Sequence, residues 1–336
     1  MMEEQQNKTI ALIHRQQSFN LVAHIQPDGD SIGSLLAMGE ALAGLGKTVR
    51  LFTADKVPRK YTFLKGSDQI VTAPERWLED GAAVVLDCSD LERTGIFKEA
   101  ILRSAVIINI DHHRTNRHFG TANLVDAAAA ATGEIIFYLL KAMELPLTVS
   151  MAEALYVALS TDTGSFKFEN TTAATHRAAA ELLEQFDLNP GTLSEQVFDL
   201  RPLPFYLLLT KVLGTLELHG DKKIAILTAS REMLEQSGAL REDLDGMINF
   251  ARNIEGVEIG IMFFIESPAE VKVGFRSRTV DASALAEVLG GGGHARAAGC
   301  RMREPYVRAR EKVLREALRA LGALEPSAAL SAKDEP

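Results

Sequence analysis

The sequence predicts an α/β protein, with a doubly wound parallel sheet in its first half and a smaller α/β domain with a mixed sheet in its second. Residues 18–185 alternate short apolar runs with helix-like segments, and the runs lack strict polar alternation, as expected of strands covered on both faces. The second half instead sets its runs in pairs around the turn signals Gly220-Asp221 and Ser267-Pro268. At 336 residues the chain exceeds what one core usually fills, so two domains are expected.

Residues 18–25 read as the first strand. Ser31 then caps a helix that carries Leu35, Leu36, Met38 and Leu42 and stops at Gly44 and Gly46. Residues 48–54, 82–86 and 105–110 are the next strands, and residues 132–145, 150–159 and 172–186 read as helices. A stretch rich in proline and polar residues, 187–204, is expected to be a linker between domains at 1–186 and 205–325. In the second domain, residues 215–219 with 223–229 and 257–266 with 270–278 read as strand pairs. Residues 231–236, 242–251, 282–289 and 306–324 read as helices, and the tail 326–336 is expected to be flexible.

Composition narrows the function. Hydrophobic residues make up 46% and charged residues 24%, ordinary for a well-cored soluble protein. Two cysteines, Cys88 and Cys300, cannot build a disulfide framework, and the start Met-Met-Glu-Glu-Gln-Gln does not resemble a signal peptide. No window approaches 18 apolar residues, so a cytoplasmic chain without a membrane partner is expected. The net charge of −9 argues against tracking long duplex nucleic acid, which rests on many Lys and Arg contacts to phosphate. A short phosphorylated substrate stays allowed.

Chemistry concentrates where strands should end. His24, Asp28 and Asp30 follow the apolar run Leu21-Val-Ala, and Asp87 ends Ala82-Ala-Val-Val-Leu. Asp111-His112-His113 follows Ala105-Val-Ile-Ile-Asn-Ile, and Asp162 closes an apolar helix. Singly, each reads as a turn or a helix cap. Jointly they point to one crevice, because ligands bind beyond the carboxyl ends of strands in open parallel sheets. Carboxylates gathered there resist ionisation unless cations compensate them. Carboxylate and imidazole without thiolate favour Mn²⁺ or a similar ion. Six candidate ligands suit two metals sharing a carboxylate, an arrangement that hydrolyses phosphoesters. In the second domain, Gly290-Gly-Gly-Gly-His294 reads as a loop whose N–H groups could cradle an anion. Arg276 and Arg278 share a strand face and suit phosphate. No P-loop, His-Glu-x-x-His helix or Gly-x-Ser-x-Gly elbow is present.

The patterns His24-x-x-x-Asp28-x-Asp30-Ser31, Asp87, Asp111-His112-His113 and Thr161-Asp162-Thr163-Gly164, with Gly291-Gly292-Gly293-His294 and Ala297-Ala298-Gly299, resemble the DHH phosphoesterases joined to a DHH-associated C-terminal domain. The resemblance covers nearly the whole chain. It implies one Mn²⁺ on His24, Asp28 and Asp87, and a second on Asp30, Asp87, His112 and Asp162. It implies that His113 faces the substrate phosphate and that Asp111 orients a histidine, so His113, Asp87 and Asp111 form the catalytic set. Arg276, Arg278, His294 and the glycines Gly291, Gly292 and Gly293 would grip substrate.

Length and the single C-terminal domain are similar to the short-oligonucleotide hydrolases called nano-RNases. That likeness implies very short RNA, linear dinucleotides such as pApA, and adenosine 3′,5′-bisphosphate as substrates, with cyclic dinucleotides and a homodimer left open. Two alternatives stand beside it: an inorganic pyrophosphatase of the same superfamily, which would lack the glycine-histidine signature, and a non-catalytic nucleotide sensor.

Overall fold

The structure, a computed structural model, describes residues 2–322 and divides into two compact units that meet at Leu200 and Arg201. The first opens with α1 (Met2–Arg15) and β1 (Ser18–Val22), then α2 (Gly29–Gly44). The expectation that Ser31 caps this helix is corrected. Asp28 is the N-cap, accepting from the Ser31 amide at 3.0 Å, while Ser31 Oγ accepts from the Asp28 amide at 2.9 Å. An acid at this position satisfies an unpaired N–H and meets the positive end of the helix dipole.

The remaining strands are β2 (Thr48–Phe52), β3 (Ile70–Val71), β4 (Ala82–Leu86), β5 (Ile107–Asp111) and β6 (Ala122–Val125), with α3 (Lys98–Arg103) leading into β5. They stand in the order β3-β2-β1-β4-β5-β6, and every pairing is parallel. The chain therefore winds outward in one direction from β1 and in the other from β4. This reversal opens a crevice at their carboxyl ends. All of β4 is buried, which explains its unbroken apolar run.

Helices α4 (Thr132–Ala142), α5 (Val149–Asp162) and α6 (Ala173–Phe186) complete the layer that carries α2. Thr148 caps α5, and the helix runs past the expected 159 to end on Asp162. Residues 187–200 are not an open linker. Asn189 caps α7 (Pro190–Ser194), a wider helical turn follows at Glu195–Asp199, and Leu188, Leu193 and Val197 are buried in the first unit's core.

The second unit comprises α8 (Leu203–Leu213), β7 (Glu217–His219), β8 (Ile224–Ser230), α9 (Arg231–Ser237), α10 (Ile248–Arg252), β9 (Ile259–Ser267), β10 (Glu270–Ser277), α11 (Ala282–Val288), β11 (Gly292–His294), β12 (Ala297–Met302) and α12 (Tyr306–Ala320). Its sheet is mixed, in the order β11-β12-β10-β9-β8-β7, with β8–β9 parallel and the other pairs antiparallel. One face buries Ile261, Phe263 and Phe275 with the α11 and α12 side, and the other buries Leu227, Met262 and Ile248. The helix expected over 242–251 is broken at Gly246, whose φ of 82° leaves the helical region. The tail 326–336 lies outside the described residues.

Close approach of α2 to α5 depends on Gly33, where an added Cβ would lie 2.3 Å from the Ala154 carbonyl oxygen. These helices deliver Asp28, Asp30 and Asp162. A Gly33→Val variant is expected to lose about 1–3 kcal/mol of stability by overpacking, read as a lower urea midpoint at unchanged slope.

Candidate metal centre

Five elements deliver the acidic and imidazole side chains to the crevice: the turn after β1, the start of α2, the ends of β4 and β5, and the last residue of α5. Three groups of potential ligands result, His24 with Asp28 and Asp87, Asp30 with His112 and Asp162, and Asp87 with His112 and His113, each with ligand atoms within 4.8 Å of one another. Every residue expected as a metal ligand belongs to one of these groups.

The spacings suit a central cation better than direct ion pairs. His24 Nε2 lies 3.3 Å from Asp87 Oδ2 and 3.7 Å from Asp28 Oδ1. His112 Nε2 lies 3.6 Å from Asp87 Oδ1, 3.5 Å from Asp162 Oδ2 and 3.9 Å from Asp30 Oδ2. Two atoms bound to one metal at about 2.1 Å with ordinary angles sit roughly 3.0–3.4 Å apart; the His24–Asp87 spacing of 3.3 Å falls in that range, and the other four, at 3.5, 3.6, 3.7 and 3.9 Å, are slightly wider and still beyond direct hydrogen-bond contact. Asp87 thus turns one oxygen toward the His24 group and the other toward the His112 group. It does so from a left-handed backbone (φ 56°), uncommon for a residue with a side chain and tolerated best by Asn, Asp and His.

Neighbouring groups fix these side chains. The Ile25 carbonyl, which can only accept, lies 2.7 Å from His24 Nδ1, so that nitrogen carries a proton and Nε2 faces Asp28 and Asp87. Both oxygens of Asp30 accept from the N-terminus of α4, from the Thr132 amide at 2.7 Å and the Gly133 amide at 2.8 Å. Thr132 Oγ1 also donates to Asp87 Oδ1 at 3.1 Å. Asp111 is fully buried; it accepts from His113 Nδ1 at 2.6 Å and from Asn116 Nδ2 at 2.5 Å. The histidine that Asp111 orients is therefore His113, and His112 points into the carboxylate cluster.

Sequence reasoning missed Thr132 and Asn116. Thr132 reads only as a helix start, with no local pattern to show that it meets Asp30 and Asp87, and Asn116 reads as structural because the fold of an irregular loop decides which neighbour its amide meets. Arg93, also missed, comes within 3.2 Å of His24 Nδ1 from a separate loop.

Electrostatics explain why cations belong here. Burial, then the charges of Asp87, Asp162 and Asp28, raises the Asp30 pKa well above the usual carboxylate range. Burial also pushes Asp162 up to about 7, with His112 opposing and Asp87 and Asp28 adding. Burial would lower His24, but its bonds to Asp28 and Asp87 prevail and push it up to about 10. Asp87 is held below its ordinary value, its burial outweighed by the bond to His24. His113 is raised, burial being outweighed by Asp111.

In the second unit, Arg276 is half-buried on β10 and Arg278 is exposed just beyond it. The expectation of an open glycine loop is corrected. Gly292, Gly293 and His294 pair with Gly299, Ala298 and Ala297 as a hairpin, and the Gly291 amide donates to Ala286 O at 2.8 Å, closing α11. The His294 side chain lies outside the described residues.

Comparison with known proteins places this geometry. The model of the DHH family, N-terminal domain, matches residues 18–159, and the DHHA1 domain model matches residues 221–324. The chain is 34% identical over 307 residues to the bifunctional oligoribonuclease and PAP phosphatase NrnA of Thermus thermophilus, covering 89% of this chain and 90% of that one. The chain belongs to the DHH family of phosphoesterases. Identity to the Bacillus subtilis protein of the same description is 26%, over 82% of this chain and 86% of that one. An exopolyphosphatase-related protein from Bacteroides fragilis shares the fold with a TM-score of 0.87 at 22% identity, covering 95% and 96% of the two chains. RecJ from Thermus thermophilus, solved with Mn²⁺, gives a TM-score of 0.55 at 13% identity over 97% of this chain and 55% of that one. Every clustered residue of the DHH crevice except Asp162 falls within the first match.

Raised pKa values at Asp162, Asp30, His24 and His113 mean that the metal-free folded chain holds extra protons. Their stabilisation is lost as pH rises through the folded values, whereas the lowered Asp87 acts only below about pH 4. In EDTA, the Tm of the wild type is therefore expected to fall progressively below that of Asp162→Asn between pH 5 and 8, and added Mn²⁺ to reverse the order. A pH-independent difference would count against the cluster as described.

Proposed function

We propose that this chain is a divalent-metal-dependent phosphodiesterase of very short oligoribonucleotides and linear dinucleotides such as pApA, which also removes the 3′-phosphate of adenosine 3′,5′-bisphosphate. The observation that carries the reading is the division of Asp87's two oxygens between two ligand groups. The names of the Thermus and Bacillus relatives, oligoribonuclease and PAP phosphatase, support the substrate class. The Mn²⁺ reported for RecJ supports the choice of metal.

His24, Asp28 and Asp87 would hold one ion, and Asp30, Asp87, His112 and Asp162 the other. When bound, the pair supplies the positive charge that activates water and neutralises oxygens at phosphorus. Around it, Thr132 and Gly133 fix Asp30 so that the carboxylate does not rotate away. His113 commits Nδ1 to Asp111, so proton exchange with the substrate runs through Nε2, where the imidazolium can neutralise a phosphoryl oxygen or protonate the leaving oxygen. Arg276 and Arg278 bind substrate phosphate in this reading.

A turnover panel of pApA, longer oligoribonucleotides, adenosine 3′,5′-bisphosphate, cyclic dinucleotides and pyrophosphate, with Mn²⁺ against Mg²⁺, tests the proposal. Release of AMP from pApA with Mn²⁺ is expected, and Asp87→Asn should lower it by at least about a thousandfold while circular dichroism still reports a folded chain. Exclusive cleavage of pyrophosphate, or tight binding of a cyclic dinucleotide without turnover, would replace this reading with one of the alternatives.

A further inference from the structure

The second unit holds two like charges side by side. Arg252, the last residue of α10, rests on Gly260 of β9, where an added Cβ would come within 2.7 Å of the Arg252 nitrogen and 2.9 Å of its Cβ. Gly260 is the register partner of Arg276 across the antiparallel β9–β10 pair. Directly opposed residues of such a pair share a sheet face, so Arg276 stands beside Arg252. The missing side chain at 260 lets α10 bring its terminal arginine down onto the sheet.

Among the described residues neither guanidinium has an ion-pair partner, and Asp245 acts on Arg276 only through its charge. Elsewhere in this unit arginines 231, 241 and 301 pair with Glu266 or Glu270. Arg252 and Arg276 enter no ion pair among the described residues, and Arg276 Nη1 donates to the backbone oxygen of Phe275 at 3.0 Å. Arg252 Nε is buried without a hydrogen-bond partner. The Arg276 pKa is lowered by burial and then by the Arg252 charge, with Asp245 opposing. Buried donors left unsatisfied and cations held together are both costly, and an anion would offset both.

The charge selects among anions. Two adjacent guanidinium forks match the dianionic, three-oxygen end of a phosphomonoester better than the single charge of a phosphodiester. We propose that Arg252 and Arg276 form a seat for a terminal phosphomonoester, and that Arg252 thereby sets a preference of the second unit for terminally phosphorylated ligands. The identity of the substrate rests on the function proposed above; pApA and adenosine 3′,5′-bisphosphate both carry such a group at the 5′ position.

Calorimetric titration of the full chain in EDTA with adenosine 5′-monophosphate and with adenosine tests the seat without engaging the metal-dependent chemistry. The monophosphate is expected to bind at least about tenfold more tightly than adenosine. Arg252→Met should abolish most of that ratio, and Arg252→Lys, which keeps the charge but not the planar fork, should reduce it several-fold. Circular dichroism of each variant reports folding, and the lysine variant decides if the methionine variant unfolds. Equal binding of the two ligands by the wild type, or an unchanged ratio in the folded variants, would overturn the proposal. Loss of pApA turnover with the ratio intact would sink the function and leave the seat standing, and the converse would do the opposite.

Discussion

Mutual repulsion among Asp30, Asp87 and Asp162 is the constraint around which the first unit is arranged. Asp30 and Asp87 are almost fully buried, at 1% and 2% exposure, where an isolated carboxylate would take up a proton rather than keep its charge. The fold places them at the reversal of strand order between β1 and β4, where backbone ends leave a crevice. It then surrounds them with donors: the first amides of α4, the Thr132 hydroxyl and the rings of His24 and His112. These donors orient the carboxylates without neutralising them, as the raised pKa values of Asp30 and Asp162 record.

Packing and chemistry are coupled through α2 and α5. The close contact at Gly33 holds the N-terminus of one helix and the C-terminus of the other at the same crevice, so Asp28, Asp30 and Asp162 move only if these helices separate. Asp28 caps its helix and also faces His24. With its side chain 53% exposed, it forms the open rim of the site.

Much of this was legible in the sequence because strand ends concentrate polar residues after apolar runs. His24, Asp87 and the Asp111-His112-His113 triplet are recognisable on that ground alone. Asp28 as the true cap, Thr132 as a brace for two carboxylates and Asn116 behind Asp111 were not legible: the first is a one-turn choice of helix start, the second joins residues distant in sequence, and the third depends on how an irregular loop folds back on a strand end. The prolines misled: Pro190 and Pro204 suggested a linker but sit in the first turns of α7 and α8, where a missing N–H costs nothing. Arg252 carried no signal, because its position beside the strand pair that carries Arg276 comes from a glycine eight residues later.

The central claim is that Asp87 joins two divalent ions in one centre. Electron paramagnetic resonance of the chain loaded with Mn²⁺, with metal content measured on the same sample, tests it directly. The account predicts two Mn²⁺ per chain with the spin-exchange signature of ions roughly 3.5–4 Å apart, lost in Asp87→Asn. A single ion per chain, or two with independent six-line spectra, would contradict it.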